Sequence, residues 1–333
     1  MNGVTQSDIA KALNLSRETV SKALNGNPHV SSATIDKVNK VAKEMGYVPN
    51  HFARSLVSRN SKTIGIVVPK ISHSFFSNIV EFLYKDIINR GYYAIPMISF
   101  ENKNNEILNI QTLFSMNVDG IIANISQDFT DENIYLESVR RGIPVVFFDR
   151  VIENPIFGQV TTNDRETSCE IVSYALSKGY ERPAHLAGYT HINIGRERRN
   201  GFMDALNKYG ITINPDWIIE GGFRPDARYK NAMNLLTQKD RPDLIFCFND
   251  SVAECVYQVA GKLGISIPDE LGVIGFGNLK LSTLVRPLLT TVDLPLESIA
   301  KKSVQLLMDK MEDEDETENV VTRSKLVIRN SCR

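Results

Sequence analysis

A repeated helix-end signal constrains the fold of this chain more than any other feature. From residue 63 onward, five helical patterns end at a glycine that is followed directly by an apolar residue. These pairs are Gly91-Tyr92, Gly142-Ile143, Gly179-Tyr180, Gly210-Ile211 and Gly264-Ile265. Glycine is favoured there because the chain leaves the helix with a positive φ, and the apolar residue begins the next buried segment. The signal therefore predicts helices that alternate with buried strands.

The apolar runs between these helices supply the strands. We predict strands over 63–69, 93–99, 119–125, 144–149, 184–188, 244–249 and 272–277. Helical patterns cover about 76–90, 104–117, 131–141, 165–178, 195–209, 226–238, 250–263 and 296–311. Because such strands form parallel sheets covered on both faces, the fold class is α/β. The stretch from 63 to the end is too long for one compact sheet, so we expect two doubly wound lobes with a ligand cleft at the strand carboxyl ends.

Charge is distributed unevenly along the chain. Residues 1–60 carry eight Lys/Arg and four Asp/Glu, a net charge of +4, whereas the rest carries 30 basic and 35 acidic residues, a net charge of −5. A basic end piece on a weakly acidic body indicates a module that binds a polyanion, although a net charge of +4 in 60 residues can also arise by chance.

Several classes of protein are not supported by the sequence. The four cysteines are far apart and show no C-x-x-C spacing, so we expect no disulfide framework or zinc site and a reducing cytoplasmic location. No apolar run reaches 18 residues, and the first residues lack a signal-peptide core, so we expect no membrane association. Motifs for nucleotide hydrolysis, metalloproteases and serine hydrolases are absent, and the acidic run 312–318 reads as a solvated loop rather than a metal site. We expect no enzyme activity, metal or cofactor.

The basic end carries the signals of three short helices. Thr5-Gln-Ser-Asp8 is a capping box, Ser16 is a natural N-cap for a second helix, and Ser31 or Ser32 caps a third. Asn14 lies in the short turn between the first two helices and tolerates the left-handed conformation that such a turn needs. Three helices with this turn form a helix-turn-helix unit that binds DNA, and the alternative is a purely structural three-helix bundle.

The stretch from VTQSDIAKALNLSRETVSKALNGNPHV to YVPNHFARSL resembles the head piece of the LacI/GalR family of bacterial transcriptional regulators. The resemblance is dense over residues 4–69 and continues in separated motifs to the end of the chain. Asn14 departs from the family, which usually has glycine there. The resemblance implies an all-α helix-turn-helix head and a two-lobed, periplasmic-binding-protein-like core that ends in a terminal strand over 325–329.

The second helix carries side chains suited to reading bases. Arg17 and Lys22 can donate to guanine, and Glu18 can accept from cytosine, and the resemblance implies the same three base-reading positions. Polar residues nearby suit phosphate contacts, which fix the register of the protein on the duplex. The predicted set is Thr5, Ser7, Ser16, Ser21, Asn25, Ser31 and Thr34, with Gln6 and His29 able to contact either bases or phosphates.

Residues 50–59 form a separate segment. By itself the sequence favours a solvated linker, but the resemblance implies a hinge helix that orders on operator DNA and opens the minor groove. Leu56 lies where the family has its intercalating leucine, with Ala53 packing beside it, and Asn50 is a further predicted DNA contact. An apolar wedge between base steps has this physical logic.

Ligand-binding candidates cluster where predicted strands end. Asp149-Arg150 and Asn249-Asp250 close two strands and face the expected cleft. An arginine of the 196–199 group can clamp hydroxyl, carboxylate or phosphate groups, and phenylalanines can form apolar walls. The resemblance assigns effector contact to Asp149, Arg198 and Asn249, with Phe75, Phe76 and Phe223 nearby. Each residue also has an ordinary structural explanation, such as a helix cap, a surface charge or core packing.

Gly277 is a departure from the family, which usually has an acidic effector-binding residue there. Three explanations stay open: a neutral sugar site in which Asn278 or a water replaces the acceptor, an anionic effector clamped by Arg198, or a degenerate site. The resemblance favours a carbohydrate-related effector, and within that class an acidic or phosphorylated sugar.

We therefore predict a cytoplasmic, homodimeric repressor that binds a near-palindromic operator under the control of a small-molecule effector. The predicted domains are a DNA-binding head (1–49), a hinge (50–61) and an effector-binding and dimerisation domain (62–333). Within the last, lobe 1 covers about 62–161 and 292–322, and lobe 2 covers about 162–291 and 323–333. The competing interpretation is a small-molecule binding protein or an enzyme of the same core fold with no DNA role.

Overall fold

The computed structural model describes residues 4–47, 61–129, 131–221, 225–312 and 319–333. The chain divides into two compact units, residues 1–61 and 62–333. The first unit contains α1 (Gln6–Leu13), α2 (Arg17–Leu24) and α3 (Ser32–Glu44). Its core is formed by six small or branched side chains, Ile9, Ala10, Val20, Ala23, Val38 and Ala42. Because this core is small, capping hydrogen bonds at the helix ends are an important part of the stability of the unit.

Each of the three head helices has a hydroxyl side chain at its N-cap. The Thr5 hydroxyl accepts from the Asp8 N–H (3.3 Å), and the Asp8 carboxylate accepts from the Thr5 N–H (2.9 Å), which confirms the capping box. Ser16 caps α2, and Ser31 rather than Ser32 caps α3. Asn14 has φ 53° and ψ 43°, so it takes the left-handed conformation expected of the turn residue.

The second unit contains twelve described strands: β1 (Thr63–Val68), β2 (Tyr93–Ile98), β3 (Gly120–Ala123), β4 (Val145–Phe148), β5 (Gly158–Thr162), β6 (Pro183–Ala187), β7 (Ile218–Glu220), β8 (Leu244–Cys247), β9 (Gly272–Ile274), β10 (Thr291–Asp293), β11 (Asn319–Thr322) and β12 (Lys325–Val327). Its described helices are α4 (Ser74–Asn89), α5 (Lys103–Ser115), α6 (Asn133–Arg140), α7 (Asp164–Leu176), α8 (Asn193–Tyr209), α9 (Pro225–Leu236), α10 (Asp250–Leu263) and α11 (Leu296–Met311). Short 3₁₀ turns cover Pro215–Trp217 and Lys280–Thr283.

These elements form two lobes, each built on a parallel sheet. Lobe 1 has six strands in the order β11-β5-β4-β3-β1-β2, and lobe 2 has four in the order β7-β6-β8-β9. In the first sheet Ile66 lies between Pro96 and Ile122, and in the second Phe246 lies between His185 and Ile274. A two-stranded antiparallel ribbon pairs β10 with β12. The parallel α/β architecture predicted from the sequence is confirmed.

Helices cover both sheets and bury the strands. All described residues of β1, β4 and β8 are buried, as expected for strands that contact helices on both faces. Helix α11 packs on α4 and on the strands of lobe 1, although it follows lobe 2 in the chain. The chain therefore passes between the lobes after β5, after β9 and between β11 and β12. Among the described residues, no helix combines the length and apolar composition that crossing a bilayer requires.

The structure corrects two parts of the predicted strand pattern. Strands β5, β7, β10 and β11 were not among the predicted ones, because they are short and β5 contains Gly, Gln and Thr rather than a continuous apolar run. The strand predicted over 272–277 ends at Ile274. A Cβ on Gly275 would lie 2.2 Å from the Asp250 Oδ1, so the chain passes that carboxylate as close-packed loop rather than strand.

Candidate functional site

The outer surface of α2 holds the residues predicted to read bases. Arg17, Glu18 and Lys22 are exposed, while Val20 and Ala23 on the opposite side are buried. Ser16 fixes the start of the helix, because its hydroxyl accepts from the Thr19 N–H (3.0 Å). The head core thus holds α2 by its apolar side and presents its polar side to the solvent.

Two of these residues pair with each other. The Lys22 Nζ lies 2.8 Å from the Glu18 Oε1, one helical turn away. The lysine lowers the pKa of the Glu18 carboxyl, which keeps it ionised. Exposed pairs of this kind add little stability, so DNA can separate them at small cost.

The other predicted DNA contacts lie on or beside these helix ends. All of the described ones are exposed or half-buried: Thr5, Gln6, Ser7, Ser16, Ser21, Asn25, His29, Ser31 and Thr34. The hydroxyls of Thr5, Ser16 and Ser31 already serve as N-caps. Asn50, Ala53 and Leu56 lie outside the described residues. The DNA contacts of all these residues stay a prediction.

A cavity of about 660 Å³, including its part open to solvent, lies between the two lobes. Six of the seven predicted ligand-binding residues are on its wall: Phe75, Phe76, Asp149, Arg198, Asn249 and Gly277. Phe223 lies outside the described residues. Lobe 1 contributes the start of α4 and the end of β4, and lobe 2 contributes α8 and the ends of β8 and β9. The cavity thus lies beyond the carboxyl ends of strands of both sheets, where α/β folds place ligands.

Asp149 is held at the end of β4 by side chains from both lobes. Its Oδ2 accepts from the Asn124 Nδ2 (3.1 Å), and its backbone oxygen accepts from the Asn193 Nδ2 (2.8 Å) across the cleft. The backbone has φ 59°, a strained value for a residue other than glycine. Burial raises the pKa of its carboxyl, while Arg198 and Arg150 partly offset that effect. Its geometry is therefore fixed before any ligand binds.

Arg198 is buried and already has partners in the protein. Its Nη1 donates to the Phe248 backbone oxygen (2.9 Å), and its Nε lies 3.4 Å from the Asp164 Oδ1. Its guanidinium stacks over the Phe276 ring, 3.8 Å from the centroid. Burial raises the pKa of Asp164 to about 6, with Arg198 acting in the opposite direction. Arg198 thus supports the cavity wall as well as lining it.

Asn249 and Asn278 have different roles. Asn249 lines the cavity and also caps α10, because its Oδ1 accepts from the Val252 N–H (3.0 Å). Asn278 does not line the cavity; its Oδ1 accepts from Arg329 (2.7 Å), and its Nδ2 donates to Asp293 (3.0 Å). Both polar atoms of the Asn278 side chain therefore have partners within the protein, and its replacement of the missing acceptor at Gly277 stays a prediction.

Two family models cover most of the chain. The model for bacterial regulatory proteins of the lacI family matches residues 5–50. The model for periplasmic binding proteins and the sugar-binding domain of the LacI family matches residues 61–330. The chain belongs to the LacI family. It is a DNA-binding transcriptional regulator of that family, as the resemblance implied.

One curated relative of this LacI-family protein is the transcriptional repressor PurR of Photobacterium profundum. The two are 30% identical over 99% of this chain and 98% of the relative. A lac repressor dimer bound to operator and the anti-inducer ONPF has the same fold, with a TM-score of 0.87, 21% identity and coverage of 99% of both chains. A LacI-type regulator of Alkaliphilus metalliredigens, complexed with D-xylulofuranose, is 27% identical with a TM-score of 0.72 over 82% of this chain and 99% of that one.

Sequence reasoning missed most of the charged residues on the cavity wall of this LacI-family chain. Lys70, His73, Glu101 and Arg228 line it, and so does Arg150, which was noted only as the neighbour of Asp149. The Arg150 Nη1 lies 2.9 Å from the Glu101 Oε2, a half-buried ion pair between two loops. Phe248, Phe276, Ile194, Leu279 and Leu294 complete the apolar part. The missed charges follow strand ends or open helices, which is a signal that could have found them.

Proposed function

We propose that this protein is a homodimeric repressor that binds a near-palindromic operator, and that a small molecule in the interlobe cavity controls its affinity for that operator. The observation that carries the proposal is that one chain combines a fully capped helix-turn-helix unit with a two-lobed core whose cavity has a prebuilt polar wall. The dimeric, operator-bound lac repressor supports the assembly, because it has the same fold over the whole chain. The protein works where its operator is, in the cytoplasm.

The proposed effector is a sugar or a sugar derivative. The solved relative complexed with D-xylulofuranose supports this class. The cavity joins aromatic side chains, which suit the apolar faces of a sugar ring, to polar groups that suit its hydroxyls. The proposal assigns no catalytic step, metal or cofactor to this site.

Contacts across the cleft give the effector a means of control. The His73 Nε2 lies 3.2 Å from the Ser251 Oγ, and the His191 Nε2 lies 2.7 Å from the Gln127 backbone oxygen; each pair joins the two lobes. A ligand that touches both lobes stabilises one of their relative arrangements over others. It changes operator affinity by the difference in its affinity for those arrangements.

Substitution of Arg17 tests the DNA-binding surface. Arg17→Ala should weaken binding to the best operator by about 1–3 kcal/mol and relax the preference at one base pair in each half-site. Selection from random duplexes followed by titration of the winning sequences measures both effects. Lys40→Ala is the matched control, since it removes one exposed positive charge from α3 outside the predicted contacts.

The control should weaken binding to all duplexes alike, because it removes only a general attraction to phosphates. If selection returns the same consensus for the wild type and Arg17→Ala, α2 does not read bases through Arg17.

A further inference from the structure

We propose that the effector is an anion: a hydroxylated small molecule whose carboxylate or phosphate group is held by Arg228 and Lys70. This proposal rests on the proposed function and names the chemical class of its ligand. It differs from the expectation that Arg198 binds the anion, because Arg198 already contacts the Phe248 carbonyl and Asp164.

The charges on the cavity wall do not balance. Four cationic residues line it, Lys70, Arg150, Arg198 and Arg228, against the two carboxylates of Glu101 and Asp149. Glu101 is paired with Arg150, and Arg198 is balanced by Asp149 and by Asp164 behind it. Lys70 and Arg228 are left, and neither forms a salt bridge with any described residue.

Arg228 lies in the first turn of α9, and its side chain is half-buried. Its Nε is buried and has no hydrogen-bond partner among the described residues. Burial lowers the pKa of this guanidinium, and the opposing carboxylate of Glu254 is exposed and farther than salt-bridge distance. The neighbouring segment 222–224 reads Gly-Phe-Arg and contains no acid. A half-buried cation whose buried Nε has no partner among the described residues is destabilising, and an anionic ligand supplies the opposite charge.

The surroundings of His73 show that these cations act on one region. Arg228, Arg150 and Lys70 all disfavour protonation of His73, and together with burial they lower its pKa to about 4. The ring is therefore neutral at pH 7, and its buried Nδ1 has no hydrogen-bond partner. This end of the cavity therefore has a positive potential, which favours a carboxylate or phosphate group.

The rest of the cavity suits the uncharged part of such a ligand. Phe75 and Phe76 form an edge-to-face pair with ring centroids 5.1 Å apart, which gives one apolar wall. Asp149 and Asn249 offer acceptor and donor groups for hydroxyls at the strand ends. Gly277 places no carboxylate in the cavity, so it does not repel an anion.

Thermal denaturation of the full chain with matched ligands tests the proposal. The compounds are D-glucose and D-galactose, the corresponding hexuronates and aldonates, and the corresponding 6-phosphates, all at one ionic strength. At least one anionic compound should raise Tm while its neutral parent does not, and the uronate and phosphate arms distinguish the two anionic groups. Arg228→Gln and Lys70→Gln should each lower the affinity for that compound at least tenfold. Arg199→Gln, an exposed cation on α8, should leave its affinity unchanged.

A second measurement needs no ligand. In the free protein Arg228→Gln should raise Tm by about 2 °C, because it removes a half-buried charge that forms no salt bridge with any described residue. A lower Tm for the free variant, or stabilisation by neutral sugars that equals that by the anions, overturns the proposal. So does anion binding that Arg228→Gln does not weaken, or a complete lack of response to the anionic compounds.

Operator titration separates this proposal from the proposed function. If a neutral sugar changes operator affinity, the cavity is an effector site and the anion proposal fails. If an anion binds through Arg228 without changing operator affinity, the anion site stands and the control of DNA binding fails.

Discussion

The α2 surface and the interlobe cavity hold their polar groups in opposite ways. On α2, Arg17 is exposed, and Glu18 and Lys22 contact chiefly each other. In the cavity, Asp149 and Arg198 are buried and hydrogen-bonded by side chains and backbone of both lobes. DNA has a large charged surface, so flexible, solvated side chains can bind it through many contacts. A small ligand makes few contacts, so its binding groups must already be ordered in the free protein. In the cavity, recognition and stability therefore depend on the same residues.

Arg198→Ala is the substitution that should show this coupling most strongly. It leaves the Phe248 carbonyl and the buried Asp164 without their cationic partner, and breaking a buried pair of this kind costs about 3–5 kcal/mol. Urea unfolding of the core measures the loss, with Arg199→Ala on the exposed side of α8 as control. Equal, small losses for both variants would show that the cavity wall does not depend on Arg198.

His185 gives the second largest effect, through pH. It is fully buried between Phe202 and Phe246, its Nδ1 donates to the Phe246 carbonyl (2.9 Å), and its Nε2 is unpartnered. Burial lowers its pKa to about 4, so the folded protein keeps the ring neutral while the unfolded chain takes up a proton below pH 6.5. The free energy of unfolding should therefore fall as pH drops from 6.5 to 4, by up to about 3 kcal/mol from this group.

The variant His185→Phe should lose this part of the pH dependence. Urea titrations at pH 7, 6 and 5 measure the slopes, and the contributions of His73, Asp164 and Asp250 cancel when the variant is compared with the wild type. An unchanged slope in His185→Phe would show that this ring is protonated in the folded state.

Arg17→Ala gives the smallest effect on stability and sharpens the contrast. Because its side chain is exposed and outside the head core, the unfolding free energy should change by no more than about 0.5 kcal/mol, despite the loss of operator binding expected above. Thermal melts of the variant and of Lys40→Ala should coincide. A clear drop in Tm for Arg17→Ala would show that Arg17 contributes to the packing of the head. The α2 surface would then resemble the interlobe cavity, where binding residues also contribute to stability.

The same contrast explains what the sequence could predict. The caps of the head depend on residues three apart, as in Thr5 and Asp8, and the helix ends of the core depend on single glycines such as Gly210 and Gly264. These local signals gave the helices within a few residues. Six of the predicted ligand residues lie on the cavity wall, and their contact with an effector stays a prediction.

Other features depend on the tertiary structure and leave no local pattern. Lys70, His73 and Arg228 come together from loops and helix starts far apart in the chain, so their shared positive field is visible only in the folded protein. Strand β11 forms a sheet because Val320 lies beside Val160, some 160 positions earlier in the chain. Asn278 looked available in the sequence, and only the contact with Arg329 shows that its carbonyl oxygen is used.

The helix cap formed by Asn249 limits which cavity residues can be substituted when ligand specificity changes. The bond to the Val252 N–H holds this side chain in one rotamer, so a ligand that contacts it loses little conformational freedom there. Replacing Asn249 would also leave the start of α10 uncapped. Arg228, whose side chain forms no hydrogen bond with a described residue, can vary without that penalty. Gly277 cannot, because its φ of 124° strains any residue other than glycine. When the effector specificity of such a protein changes, we expect substitutions first at loosely held positions such as Arg228. We expect Asn249 to be retained.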